Sequence, residues 1–394
     1  MVNKFLIRFI SLKICKALSI VNRLIRKNEN IILFFTNIPG FNDNNRALYE
    51  YLISNHYNDK YKIVISIPDY RVKKFKITNV IFVSPIVGLL YFLVAKYCFF
   101  DGGTYKVKPS NNQCVVSLWH GTPLKKIGRN VEKSLRIDRY NDFTKIVCTS
   151  DNLIHIFSES FECKKNDVLV LGYPRNDNLF DKNDYINLFG LNKSNYKKSI
   201  IWMPTFRKSI NGRYNTNTGQ FDNRWFPLFE NEQEMDQLNV KLKEIECLLF
   251  IKLHPLAIQN SYEYFSYSNL LVVNNEIMNK VDIQNYKLLS NFDALITDYS
   301  SVYFDYLLLD RPVAFVVNDI KNYRNQRGFT FENPIDLMPG DFITNKNNFY
   351  SFLDSVIAET DNYRKSRHDV NDFINTYKDN NSSYRILNYC GIMK

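Results

Sequence analysis

Residues 96–121, KYCFFDGGTYKVKPSNNQCVVSLWHG, hold two short apolar runs, 96–102 and 114–121, and each run stops at a glycine. Short unbroken apolar runs, with no polar residue at alternate positions, predict strands buried on both faces, as in a parallel sheet covered by helices. The unit repeats in both directions. Upstream lie IILFF (31–35), KIVISI (62–67) and NVIFVS (79–84); downstream lie KIVCTS (145–150) and DVLVLG (167–172). A second series follows: SIIWMPT (199–205), CLLFIKLHP (247–255), NLLVVN (269–274), DALITDYSS (293–301) and PVAFVVN (312–318). Helix-like stretches separate the runs, so two successive doubly wound α/β units are expected. The length agrees, because 394 residues exceed the roughly 250–300 that one core organises. An Asn- and Lys-rich stretch, 180–198, is the expected linker, giving domains 29–180 and 181–394 with the last helices packing back on the first domain.

Composition narrows the class. Hydrophobic residues are 45% of the chain and aromatics 15%, which excludes a disordered or fibrous protein. Residues 1–180 carry 27 Lys and Arg against 14 Asp and Glu, a surplus of 13, whereas the remainder carries 24 against 26. The whole positive excess therefore sits in the first half and predicts a polyanionic partner. Seven cysteines are scattered without a C-x-x-C pair or a ligand-like cluster with histidine, which fits a reducing, cytosolic setting and predicts no bound metal.

Residues 1–28 have seven basic residues and no acid. At helical pitch Leu6, Ile10, Ala17, Val21 and Leu24 share one side, and Lys4, Arg8, Ser19, Arg23 and Arg26 the other. Two readings stand: an amphipathic helix in a membrane interface, or a helix packed on its own domain. The charges exclude an ordinary spanning helix of about 20 apolar residues. A second apolar run, 86–95, is too short to span and predicts a buried helix leading into the strand at 97–100.

In open parallel sheets, ligands gather beyond the carboxyl ends of the strands, so those ends carry the candidate chemistry. His120 leaves strand 114–119 into Gly121, Thr122, Pro123 and Leu124, a tight turn that holds an imidazole rigidly where it can take a proton. Arg175 follows Pro174, Arg207 follows strand 199–203 through Thr205 and Phe206, and Lys252 and His254 close strand 247–252. Together they aim cationic groups at one edge, as a pyrophosphate requires. Ser300 and Ser301 stand where strand 293–297 enters an apolar helix. The two readings of that segment are an anion site at the helix tip and a plain serine cap. Asp305, one turn on, would accept from ribose hydroxyls or orient a cation. The sequence contains no H-E-x-x-H, Walker loop or G-x-G-x-x-G.

In order, LWHGTPLKKIG, GYPRND, WMPTFR, IKLHP and TDYSSVYFDYLLLDRPV resemble the CDP-glycerol glycerophosphotransferase family of teichoic acid and capsule synthesis, and FNDNNRALYEYL (41–52) is similar to its early helix. The resemblance covers roughly 30–330. It implies a GT-B-type arrangement of two Rossmann-like domains facing across a cleft, peripheral on the cytoplasmic face of the membrane. It also implies a CDP-glycerol or CDP-ribitol donor, a lipid-linked saccharide or polyol-phosphate acceptor, an anionic membrane surface as partner, no nucleic acid and no cofactor. His120 is then the base that deprotonates the acceptor hydroxyl for attack on the β-phosphorus, with CMP leaving. His254 and Lys252 meet the pyrophosphate, Ser300 and Ser301 hold phosphate oxygens, and Gly121, Thr122, Pro123, Leu124, Arg175, Thr205, Phe206, Arg207 and Asp305 complete the donor site. The extra helical repeat region of the family's long polymerases has no counterpart here. Two rivals remain: a GT-B glycosyltransferase using a nucleotide sugar, and a non-catalytic membrane- or RNA-binding protein, the latter lacking any RNP-like aromatic motif.

Overall fold

A computed structural model describes residues 4–36, 40–71, 76–131, 141–204, 228–254, 267–317, 320, 324 and 328–394, with the side chains of 4–12 and 275 outside that description. The chain divides into two compact units. Unit 1 comprises Met1–Gly121, Gly128–Asn178 and Asn375–Lys394; unit 2 comprises Thr122–Ile127 and Leu179–Ile374.

Unit 1 is built on a seven-stranded sheet of order β3-β2-β1-β4-β5-β6-β7. The strands are β1 (Asn28–Phe35), β2 (Lys62–Ser66), β3 (Val80–Val83), β4 (Ala95–Phe100), β5 (Cys114–Ser117), β6 (Lys145–Cys148) and β7 (Val168–Val170). Every pairing is parallel. Parallel pairing forces each connection to cross a face of the sheet, which is why both faces of these strands are apolar. Phe34 stacks on Phe99 and Phe35 on Phe100, at 5.5 and 5.0 Å, from adjacent positions of β1 and β4. Fully buried rings of this kind each contribute about 1.5–3 kcal/mol.

Five helices of unit 1 matter below: α1 (Lys4–Leu24), α2 (Asp43–Ser54), α3 (Pro85–Val94), α4 (Ile154–Phe161) and α5 (Pro174–Asp177). α1 docks through its polar side. The Ser19 hydroxyl accepts from the Lys108 amide at 2.9 Å, and the fully buried Asn22 amide donates to Lys108 O and to Gln113 Oε1. Gln113 in turn donates to Phe92 O and Ala95 O at the end of α3. Ser19, from the polar side, faces the protein, while Val21 and Leu24, from the apolar side, face solvent, Leu24 at 83% exposure. Residues 86–94 do form a helix entering β4, starting at Pro85 with Ser84 as cap. It is not buried as expected, since Gly88, Phe92 and Leu93 face inward and leave Ile86 78% exposed, with Val87 and Leu90 also open.

Unit 2 repeats the plan with six parallel strands in the order β10-β9-β8-β11-β12-β13. They are β8 (Lys198–Trp202), β9 (Cys247–Lys252), β10 (Leu270–Val273), β11 (Ala294–Thr297), β12 (Val313–Val316) and β13 (Asp341–Ile343). All twelve runs read from sequence form strands; β13 is an addition, a three-residue edge strand too short and too polar to announce itself. The stretch 180–198 belongs to unit 2 rather than to a free tether. Its Tyr185 amide donates to Asn291 Oδ1, and Lys193 Nζ reaches Asn291 O.

Candidate active site

In unit 1 the strand order reverses between β1 and β4, the position where open sheets gather ligands. The chain beyond β5 turns sharply there. Trp119 takes φ 53° and Gly121 φ 131°, so His120 stands between two residues in the left-handed region. Trp119 tolerates that conformation because its indole is clamped edge-on against Phe161 of α4 at 4.6 Å. Strain of this kind persists only where the surroundings over-determine it.

Those surroundings come from three other strand ends. Asn44 Nδ2 donates to Leu118 O and Trp119 O at 3.2 and 2.8 Å, and its Oδ1 accepts from the Arg175 amide. Arg175 Nη1 donates to His120 O at 3.1 Å and pairs with Asp43 Oδ1 at 2.8 Å. The Asp101 carboxylate, just past β4, accepts from Asn45 N and Nδ2. Its own carbonyl oxygen lies 2.9 Å from His120 Nδ1. A carbonyl oxygen can only accept, so Nδ1 carries the proton and Nε2 keeps its lone pair. His120 remains open to solvent. Desolvation by its surroundings lowers its pKa, with Arg175 adding to the effect and the Asp101 carbonyl and Asp43 carboxylate opposing it. The neutral ring at neutral pH is a base with its free nitrogen defined. Asp101 itself is pushed well up by burial, with the nearby Asp43 carboxylate adding to the shift.

In unit 2, Lys252 ends β9 and is only 4% exposed. Its ammonium has no hydrogen-bond or ion-pair partner among the described residues, and burial drops its pKa to about 8. His254 follows, held down to about 4 by burial, then by Lys252 and Lys125, with Asp298 opposing, so it is neutral at pH 7. Lys125 is supplied by the segment after His120, which lies in unit 2. The Thr330 amide donates to Leu124 O at 2.9 Å and the Thr330 hydroxyl to Lys125 O, fixing that segment against residues 329–330, between β12 and β13. A buried, uncompensated cation is costly, and an anionic ligand is the usual relief.

A family model described as CDP-Glycerol:Poly(glycerophosphate) glycerophosphotransferase matches residues 17–391. The chain belongs to this family. A teichoic acid poly(glycerol phosphate) polymerase of Bacillus spizizenii is 31% identical over 366 residues, 84% of this chain and 86% of the relative. A teichoic acid glycerol-phosphate primase of Bacillus subtilis is 32% identical over 300 residues, 72% of this chain and 68% of the relative. A structure of the wall teichoic acid polymerase TagF is similar in fold, with a TM-score of 0.70 at 23% identity over 98% of this chain and 95% of that one.

Among this glycerophosphotransferase's expected site residues, the structure groups His120 with Arg175 in unit 1, and Lys252 with His254 in unit 2. Arg175, expected to reach for the donor, is 4% exposed, donates to His120 O and pairs with Asp43. Gly121, Thr122, Pro123 and Leu124 are all buried. Ser300 and Ser301 are half-buried ahead of the short helix Val302–Tyr306, and Ser300 Oγ accepts from Val302 N at 3.5 Å, a weak cap. Asp305 is fully buried and accepts from Tyr286 at 2.5 Å. Thr205, Phe206 and Arg207 lie outside the described residues. Sequence reading missed Asp43, Asn44, Asn45 and Asp101. The only local signal was the polar cluster DNN opening a helix after β1. No group of three or more His, Cys, Asp or Glu suited to a metal ion occurs among the described residues.

Proposed function

We propose that this chain transfers glycerol phosphate or ribitol phosphate from a CDP-alcohol to a lipid-linked or polymeric acceptor, releasing CMP. The observation that carries the reading is the fixed tautomer of His120, whose bare Nε2 suits removal of a hydroxyl proton. In the step, the acceptor O–H proton passes to Nε2 and the oxygen attacks the donor's β-phosphorus. A new P–O bond forms, the bond to the bridging oxygen breaks, and CMP leaves with that oxygen and its electron pair. Lys252 offsets charge on the diphosphate, and neutral His254 donates a hydrogen bond to it. Arg175, Asp43, Asn44 and Asp101 position His120 without touching substrate. Phosphoryl transfer needs mainly this combination of positioning and charge stabilisation. The decisive assay is CMP release from CDP-glycerol and CDP-ribitol, with and without a lipid-linked disaccharide, beside a UDP-sugar control. Turnover of the UDP-sugar with both CDP-alcohols intact would refute the proposal.

The same reading places the protein on the cytoplasmic face of an anionic membrane, with unit 1 as the GT-B acceptor half. No described helix is long and apolar enough to cross a membrane. α1 nevertheless exposes Ile14, Ile20, Val21 and Leu24 among Lys13, Lys16, Arg23 and Arg26, and α3 exposes Ile86, Val87 and Leu90. Apolar side chains ringed by cations fit an anionic lipid surface. Val21→Ser with Leu24→Ser is expected to reduce sedimentation with phosphatidylglycerol vesicles; unchanged binding would count against this placement.

A further inference from the structure

We infer that Cys114 and Cys390 form an oxidisable dithiol that a peroxide converts to a disulfide, stapling the C-terminal tail to the sheet of unit 1. Their sulfurs are 3.2 Å apart, with the two residues 276 positions apart in sequence. Cys114 opens β5, and Cys390 caps the helix Ser382–Tyr389.

Neither sulfur sits on a loose end. The amides of Ser382 and Ser383 donate to the two oxygens of Asp177, and Arg385 Nε donates to Leu171 O. Beyond the helix, Ile392 is buried and its amide donates to Leu387 O at 2.9 Å. Lys60 Nζ and Tyr61 OH then both donate to Met393 O. The tail is thus held on both sides of Cys390, and the S···S contact belongs to the fold. A disulfide bond of about 2.05 Å needs only a further small approach.

The pair is also chemically uneven. The hydrogen bond between the two thiols holds Cys114 below its ordinary pKa, Lys145 and Lys96 add to this, and burial opposes it; the same contact pushes Cys390 up. Burial drives Cys98, Cys148, Cys163 and Cys247 the other way, Cys148 and Cys247 to about 12 and Cys163 to about 11. The thiolate is the nucleophile, so Cys114 reacts first. Its sulfur attacks a peroxide oxygen, the O–O bond breaks, and hydroxide leaves to become water, giving a sulfenic acid. Cys390 sulfur then attacks that sulfur, the S–O bond breaks, and the hydroxide takes the Cys390 proton as a second water. Two thiols and one hydrogen peroxide give one disulfide and two waters.

The test treats the reduced full-length chain with hydrogen peroxide and counts thiols in denaturant, followed by non-reducing peptide mapping. The expected result is a loss of two of the seven thiols, one cross-linked peptide joining positions 114 and 390, and full recovery with dithiothreitol. In Cys390→Ser, Cys114 should remain a sulfenic acid that dimedone labels; in Cys114→Ser, Cys390 should stay reduced. A peptide joining Cys98 to Cys114, or two thiols still lost from Cys390→Ser, would overturn the assignment, as would only single-thiol adducts in the wild type.

Discussion

His120 and Lys252 illustrate opposite uses of a strand end. His120 is kept near solvent with one nitrogen engaged at 2.9 Å by Asp101 O, leaving the other free. Removing the base while keeping the hydrogen-bonding shape, as in His120→Asn, should lower kcat by about 10²–10⁴-fold with little change in KM, because general-base catalysis contributes on that order. A rate within threefold of wild type in a CMP-release assay would remove His120 from the chemistry. Asp43→Asn should act through His120: it weakens the Arg175 brace, and the expected signature is a fall in kcat with a displaced acid limb of the pH profile. An unaltered profile would make Asp43 merely structural. Lys252 carries a burial burden. Its pKa is about 8 in the folded chain against an ordinary 10.5, which corresponds to about 3 kcal/mol of destabilisation below pH 8. Between pH 8 and 10.5 the native state has lost the proton that the unfolded state still binds, so stability rises with pH across that window. Lys252→Met is therefore expected to raise the urea midpoint of the ligand-free protein at pH 7, with the gain fading above pH 10, while weakening CDP-glycerol binding. Lower stability at pH 7 would show that the ammonium is compensated in solution. These strand-end positions were legible in sequence because an apolar run that stops at His or Lys names its own last residue. Asp43, Asn44 and Asp101 were not, because their role depends on which strands lie side by side. The direction of the Arg175 side chain was equally illegible, since a Pro-Arg corner locates an arginine without telling where its guanidinium goes.

Among the elements, α3 shows how one close approach sets a helix. A Cβ built on Gly88 would lie 2.0 Å from Ser66 Oγ and 2.3 Å from Tyr105 OH, two hydroxyls bonded to each other at 2.7 Å. Gly88→Ala should therefore cost about 1–3 kcal/mol, as overpacking of a tight contact does, and urea unfolding will measure it. An unchanged midpoint would mean the helix can lift off β2 freely. The run 86–95 was readable as a helix from its apolar length. Its half-exposure was not, because hydropathy reports which residues avoid water and not which faces find a partner. α1 makes the point more strongly. Its small polar residues are buried since Lys108 and Gln113 offer them partners, and a buried amide with its hydrogen bonds made loses little. Its apolar side is then left outward.

For the whole molecule, the surplus of 13 positive charges in residues 1–180 and the apolar strips of α1 and α3 predict vesicle binding with a strong ionic component. Raising ionic strength from about 0.05 to 0.5 M should release much of the protein from phosphatidylglycerol vesicles, since screening shortens to a few ångströms. Salt-independent binding, or equal binding to uncharged phosphatidylcholine, would contradict it. The sequence alone determined two parallel sheets, the positions of every strand but β13 and the residues leaving their carboxyl ends, because each of those strands' apolar runs is a local property of the chain. Tertiary structure alone decided how α1 is turned, which backbone carbonyl fixes the tautomer of His120, and which side chains brace its turn. Those outcomes rest on contacts between segments far apart in sequence, and no local pattern of residues encodes which distant group will be the partner.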